Sequence, residues 1–139
     1  MHKHSVTTAD LELKEQFEKC LIAPSEFGHE PHVRLAYVYL CEEEPDPAFL
    51  RMRESLLKFI AHHGIDPMKY HETLTRAWMM AVDHFMLQAP PMASATDFVA
   101  AYPQLLDSKI MLGHYRRETL FSERARASFV EGDLDPIPH

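Results

Sequence analysis

The sequence predicts an all-α protein built as one antiparallel helical bundle. Three observations carry that prediction. Apolar residues recur at steps of three and four in four separate segments. Proline, glycine and aspartate fall at the ends of those segments, where helices start and stop. No stretch alternates β-branched with polar residues as a strand would. At 139 residues the chain has the length of one domain and can bury one core.

Helix one is expected from about Thr8 to Cys20, with Leu13, Phe17, Cys20 and Leu21 on one stripe and Glu and Lys residues between them. Pro24 and Gly28 interrupt the pattern. Helix two starts near His29, carries Pro31 in its first turn, and runs to about Glu42. The acidic run Glu42, Glu43, Glu44 and then Pro45 closes it as a solvated end. Helices three and four share a start signal, because Asp46-Pro47 and Asp66-Pro67 each set a capping carboxylate before a proline. Helix three spans about Pro47 to His63 and stops at Gly64 in a left-handed cap. Phe49, Met52, Leu56, Phe59, Ile60 and His63 line its inner face. Helix four spans about Pro67 to Gln88, ahead of Pro90-Pro91. A short helix from Thr96 ends at Pro103, and one or two more are expected between Ser108 and Val130. Residues 1–7 and 131–139 read as mobile tails of the single 1–139 domain.

Composition narrows the function classes. The chain is 46% hydrophobic and 25% charged, with a net charge of −7 and no cluster of Lys or Arg, which argues against a nucleic-acid partner. No apolar run approaches the ~20 residues of a membrane span, and the opening MHKHSVTTADLELKEQ has no signal-peptide core. The expected location is cytoplasmic, with no membrane partner. The two cysteines, Cys20 and Cys41, lack metal-site spacing and read as reduced thiols.

The informative feature is the ten histidines. At 100° per residue, Glu72, Arg76 and Asp83 form the solvent stripe of helix four. His71 and Thr75 fall away from it, with Trp78, Val82, Phe85 and Met86. On helix two, His29 and His32 share a face with Val33, Ala36, Tyr39 and Leu40. Short loops favour antiparallel neighbours, so helices two and four should run parallel with their N-termini together. His29, His32, Tyr70 and His71 then meet at one end of the bundle, and His62 and His63 arrive there from the end of helix three.

That geometry supports two chemistries. Imidazoles three apart on a helix can reach one ion, so His29, His32 and His71 are candidate ligands of a divalent transition metal. A di-iron carboxylate site is excluded, because only Glu26-Phe-Gly-His29 has the required spacing. Two parallel helix N-termini instead favour an anion and disfavour a cation. The candidate ligand-binding residues are His29, His32, His63, Tyr70, His71 and Thr75. The bland competitor is that each histidine caps its helix or satisfies a loop carbonyl. No G-x-S-x-G elbow, P-loop or dinucleotide fingerprint occurs, so catalytic residues are not assigned.

The combination F-x-H-x-x-H-V-R at 27–34 with Y-H-E-T-x-T at 70–75 resembles a family of small bacterial all-helical proteins. The likeness extends over most of the chain, including Phe-Ser-Glu-Arg-Ala-Arg at 121–126. It brings no activity and no catalytic residues, and implies only that the two histidine motifs belong together. The resulting expectation is a histidine-lined pocket that binds a small anionic metabolite or a metal ion and would suit an enzyme. The alternative is a non-catalytic interaction or regulatory module that pairs through an apolar helical face, as in a homodimer.

Overall fold

The computed structural model describes residues 3–138, and among them there is no strand. Seven α-helices follow in order: α1 Thr8–Glu18, α2 His29–Glu42, α3 Pro45–His62, α4 Glu72–Gln88, α5 Ala95–Ala101, α6 Arg117–Leu120 and α7 Glu123–Ala127. Short 3-10 segments at Pro24–Glu26, Pro67–Lys69, Pro103–Leu106 and Ser108–Gly113 fill the connections.

The centre of the protein is α2. It packs against α1, α3, α4 and α5, so Leu35, Ala36, Tyr37, Val38, Tyr39 and Leu40 are all buried without a break. A helix buried on every side cannot show a strong amphipathic pattern, and its apolar excess is covered inside this chain.

Cross-contacts fix the directions. Tyr39 on α2 meets Ser55 on α3 at 2.8 Å, and Arg51 on α3 reaches Glu42 on α2 at 3.1 Å, so these helices are antiparallel. Between α3 and α4, Arg53 pairs with Glu72 at 3.5 Å and Asp46 with Arg76 at 3.6 Å, again antiparallel. The first turns of α2 and α4 therefore lie at one end of the bundle, as the loop lengths implied.

Several boundaries differ from the sequence expectation for identifiable reasons. Helix one stops at Glu18, because Cys20 takes φ 59° and Leu21 N–H bonds back to the Gln16 carbonyl at 2.9 Å. That is a helix-ending turn with a cysteine where glycine is usual. Gly64, with φ 64°, ends α3 in the expected left-handed cap. Helix α3 begins two residues early, with Pro45 rather than Pro47 in its first position, and Asp46 faces Arg76 instead of capping. Asp66 does accept a bond from Met68 N–H at 2.9 Å, but it caps only the Pro67–Lys69 turn.

The predicted tails are not loose where they are described. His4 is buried, its Nε2 donating to the Met86 carbonyl at 2.6 Å and its Nδ1 accepting from Met92 N–H at 3.1 Å. At the other end, Tyr115 donates to the Val130 carbonyl and Thr119 to Asp133 at 2.6 Å. His114 bonds to the Asp135 carbonyl at 2.6 Å, and Ile137 is buried. Both segments carry one apolar or imidazole anchor amid polar residues, too sparse a pattern to register as periodicity. The expected tail positions 1, 2 and 139 lie outside the described residues.

Candidate functional site

The motif Tyr70-His71-Glu72-Thr73 straddles the start of α4, and His71 is its N-cap. The Nδ1 lone pair accepts from Leu74 N–H at 3.0 Å, so in the neutral ring Nε2 carries the proton and donates it to the Leu120 carbonyl at 2.7 Å. Burial pushes the His71 pKa below its ordinary value, and the positive charge of Arg126 adds to this, while the Leu120 carbonyl opposes it. Thr75 donates to the His71 carbonyl at 2.8 Å. Thr73 donates to the Ser128 carbonyl at 3.0 Å and accepts from Val130 N–H at 3.1 Å. Polar residues open this apolar helix because they fasten its first turn to chain some fifty residues downstream.

His71→Ala removes both a cap and a tertiary tie and is expected to cost about 2 kcal/mol. His71→Asn keeps an acceptor for Leu74 N–H and should recover about half of that. Urea unfolding of both variants checks the order, and equal loss in the two would show that the cap contributes nothing.

Beside this turn lies a cavity of about 360 Å3 between the starts of α2 and α4. His29, His32, Tyr70, His71 and Thr75 all line it, so five of the six expected residues come together. Leu56, Ile60, Leu74 and Trp78 supply apolar wall, and Lys69 and Ser108 complete the rim. Four of these polar groups are already engaged. His29 Nε2 donates to the Leu105 carbonyl at 2.8 Å, with its ring edge-on to Trp78 at 4.4 Å. Tyr70 donates to Glu72 at 2.6 Å, and its phenol is held well above the ordinary range by burial and by that carboxylate. His71 and Thr75 are tied as described above.

His32 differs. The residue is only partly covered, yet its Nε2 is sealed from solvent and has no hydrogen-bond partner. Burial, reinforced by neighbouring His29, lowers its pKa to about 4, so this imidazole is neutral at physiological pH.

Two expectations are corrected here. His63 does not line the cavity. It sits at the C-cap of α3 with its ring 4.5 Å from Phe59, and its Nε2 is likewise sealed and unpartnered. Phe27 and Phe59, 5.5 Å apart, stand between it and His32, so the two rings share an end of the bundle but not a wall. The metal reading of His29, His32 and His71 also falls. Two of the three spend Nε2 on main-chain carbonyls, and His71 spends Nδ1 as well. Among the described residues no group of three or more His, Cys, Asp or Glu side chains is placed to hold a metal ion.

Comparison with protein-family models, with curated proteins and with solved structures returned no match. The site is therefore read from its own chemistry.

Lys69, Leu74 and Ser108 were missed from sequence, while Leu56, Ile60 and Trp78 were read as inward-facing without being assigned to the site. Lys69 lies two residues before His71, so proximity alone pointed to it. Ser108 carried no local signal, because only tertiary packing of the Ser108–Gly113 turn brings it to the rim. No helix among the described residues is long and apolar enough to cross a membrane.

Proposed function

We propose that the cavity between the first turns of α2 and α4 binds a small amphipathic carboxylate. Its hydrocarbon or aromatic body would rest on Trp78, Leu74, Leu56 and Ile60, with the carboxylate toward Lys69 and Ser108. One observation carries the reading: in a chain of net charge −7, the lining contains one lysine and no acid. With His32 neutral and His29 and His71 donating to carbonyls, Lys69 sets the sign of the site. The apolar wall lowers the local dielectric and strengthens that charge. The starts of two parallel helices add positive dipole ends, and α2 receives no side-chain cap at Gly28. The nearest carboxylate on α4, Glu72, is turned to Tyr70 and Arg53.

The reading concerns binding, and no residue in the wall is given a catalytic part. Its test compares benzoate, benzyl alcohol and benzylammonium as thermal-shift ligands. Benzoate is expected to raise the melting temperature in a saturable way, as a ligand of the folded state must. Lys69→Met, a change at an exposed position, should weaken benzoate about tenfold, the size of one charge-assisted hydrogen bond. Equal affinity for benzoate and benzyl alcohol, or a Lys69→Met variant that binds benzoate as tightly as wild type, would refute it.

A further inference from the structure

His71 and Thr73 join the first turn of α4 to the chain that runs from Leu120 to Val130. Apolar burial adds little to that join. Between Arg117 and Ala127 the buried side chains are Leu120 and Ala125, while Phe121 stands 53% exposed. A short segment with so little buried apolar surface opens far more easily than the core beneath it. Its hydrogen bonds therefore decide whether it stays in place.

His71 can make its part of the join only as a neutral ring. Its Nδ1 accepts from Leu74 N–H at 3.0 Å, and its Nε2 donates to the Leu120 carbonyl at 2.7 Å. One nitrogen must be bare and the other protonated. A proton added at Nδ1 would set N–H against N–H across the same gap. Both nitrogens belong to one rigid ring, so turning Nδ1 away from Leu74 swings Nε2 off the Leu120 carbonyl. One proton thus undoes the cap and the tertiary tie together. The positive end of the α4 dipole disfavours the imidazolium further.

The surroundings offer that imidazolium no compensation. Lys69 lies in the turn before α4, and His29 and His32 line the same cavity from α2, with His32 neutral. Leu56 and Ile60 of α3 and Ser108 beyond them bring no charge. Tyr70 and Arg53 engage Glu72. Glu118 on α6 and Glu123 on α7 are exposed to water, which screens them. Burial, and after it the charge of Arg126, hold the His71 pKa below its ordinary 6.5, against the opposing Leu120 carbonyl. The unfolded or opened ring takes up its proton first, so the join is complete above pH 6.5 and is lost as the pH falls.

The geometry points to His71 as an acid-released latch: proton uptake at Nδ1 uncaps α4 and lets the 120–130 segment swing away from the first turn of that helix. The cavity wall that His71 forms changes with it. The latch responds to protons whether or not the cavity is filled, so it does not rest on the carboxylate reading.

The test follows the full chain by NMR from pH 7.5 to 4.5. Imidazole 15N shifts give the protonation state of His71, and exchange protection of the Leu74 and Val130 amides reports on the two sides of the latch. Protection of both amides is expected to fall by about tenfold per pH unit below 6.5, as one linked proton requires. Val38, buried in the middle of α2, should stay at least about tenfold better protected throughout, since the opening is local. His71→Asn keeps an acceptor for Leu74 N–H but binds no proton in this range, and should abolish the fall. Within the wild type, proton uptake at Nδ1 and loss of protection must share one midpoint, a requirement that holds even if the variant folds poorly. The latch is refuted if His71 is protonated with neither amide affected, or if both amides open while the ring remains neutral. Exchange no faster than that of Val38, or the same fall in His71→Asn, refutes it equally.

Discussion

His32→Leu is expected to flatten the acid limb of the protein's stability profile while leaving stability at pH 7 unchanged or higher. The folded-state pKa of His32 is lowered to about 4, against an ordinary value of 6.5. Between those values the unfolded chain binds a proton that the folded chain refuses. The contribution of this residue is therefore fully present above pH 6.5 and is lost as the pH falls toward 4. A depression of that size corresponds to about 3 kcal/mol over the window. Leucine has no proton to bind in either state, so the term disappears. At pH 7 the exchange also removes a sealed nitrogen without a hydrogen-bond partner, which carries a desolvation cost. Urea unfolding of both proteins from pH 4 to 7.5 gives the comparison. Parallel profiles would mean that His32 titrates in the folded protein as it does in the unfolded chain.

Gly132→Ala is expected to destabilise the protein by roughly 3 kcal/mol, the upper range for forcing atoms into a filled site. A Cβ at this position would lie 2.7 Å from the Asp135 carbonyl oxygen and 2.8 Å from that of His114. Both are backbone atoms, so no side chain can swing aside. Relief requires the segment to lift, which breaks the bonds from Leu134 N–H to the His114 carbonyl and from His114 to the Asp135 carbonyl. Thermal unfolding within about 0.5 kcal/mol of wild type, the scatter of neutral surface changes, would show that the segment adjusts without strain.

How much of this was legible follows from which interactions are local. Helix periodicity and the Gly64 cap depend on residues a few positions apart, and they read correctly, whereas helix four, expected from Pro67, in fact begins at Glu72 after a separate 3-10 turn. The parallel course of α2 and α4 followed from two short loops, and it correctly gathered His29, His32, Tyr70, His71 and Thr75. What each imidazole does there was not legible. The carbonyls of Leu105 and Leu120 that engage His29 and His71 lie 76 and 49 residues away. His63 was assigned to the same wall because its helix ends nearby, yet two phenylalanine rings intervene. The largest error concerned Asp83. Arg76 and Asp83 mark a polar stripe by angle alone, and the stripe is polar, but α7 and the segment after it lie across that face. Angular position shows which residues share a side. It does not show what the rest of the chain will lay over that side.

The tie between Thr73 and Val130 has a bearing on how the protein is made. During synthesis the residues that open α4 emerge well before their partners, which follow 49 to 57 positions later. The first turn of that helix keeps its local His71 cap but lacks its tertiary ties until the downstream chain has left the ribosome. Ordering of the two flanks of α4 is thus a late, post-emergence event, and translation pauses beyond residue 90 would lengthen the interval in which Trp78 and its neighbours meet other chains.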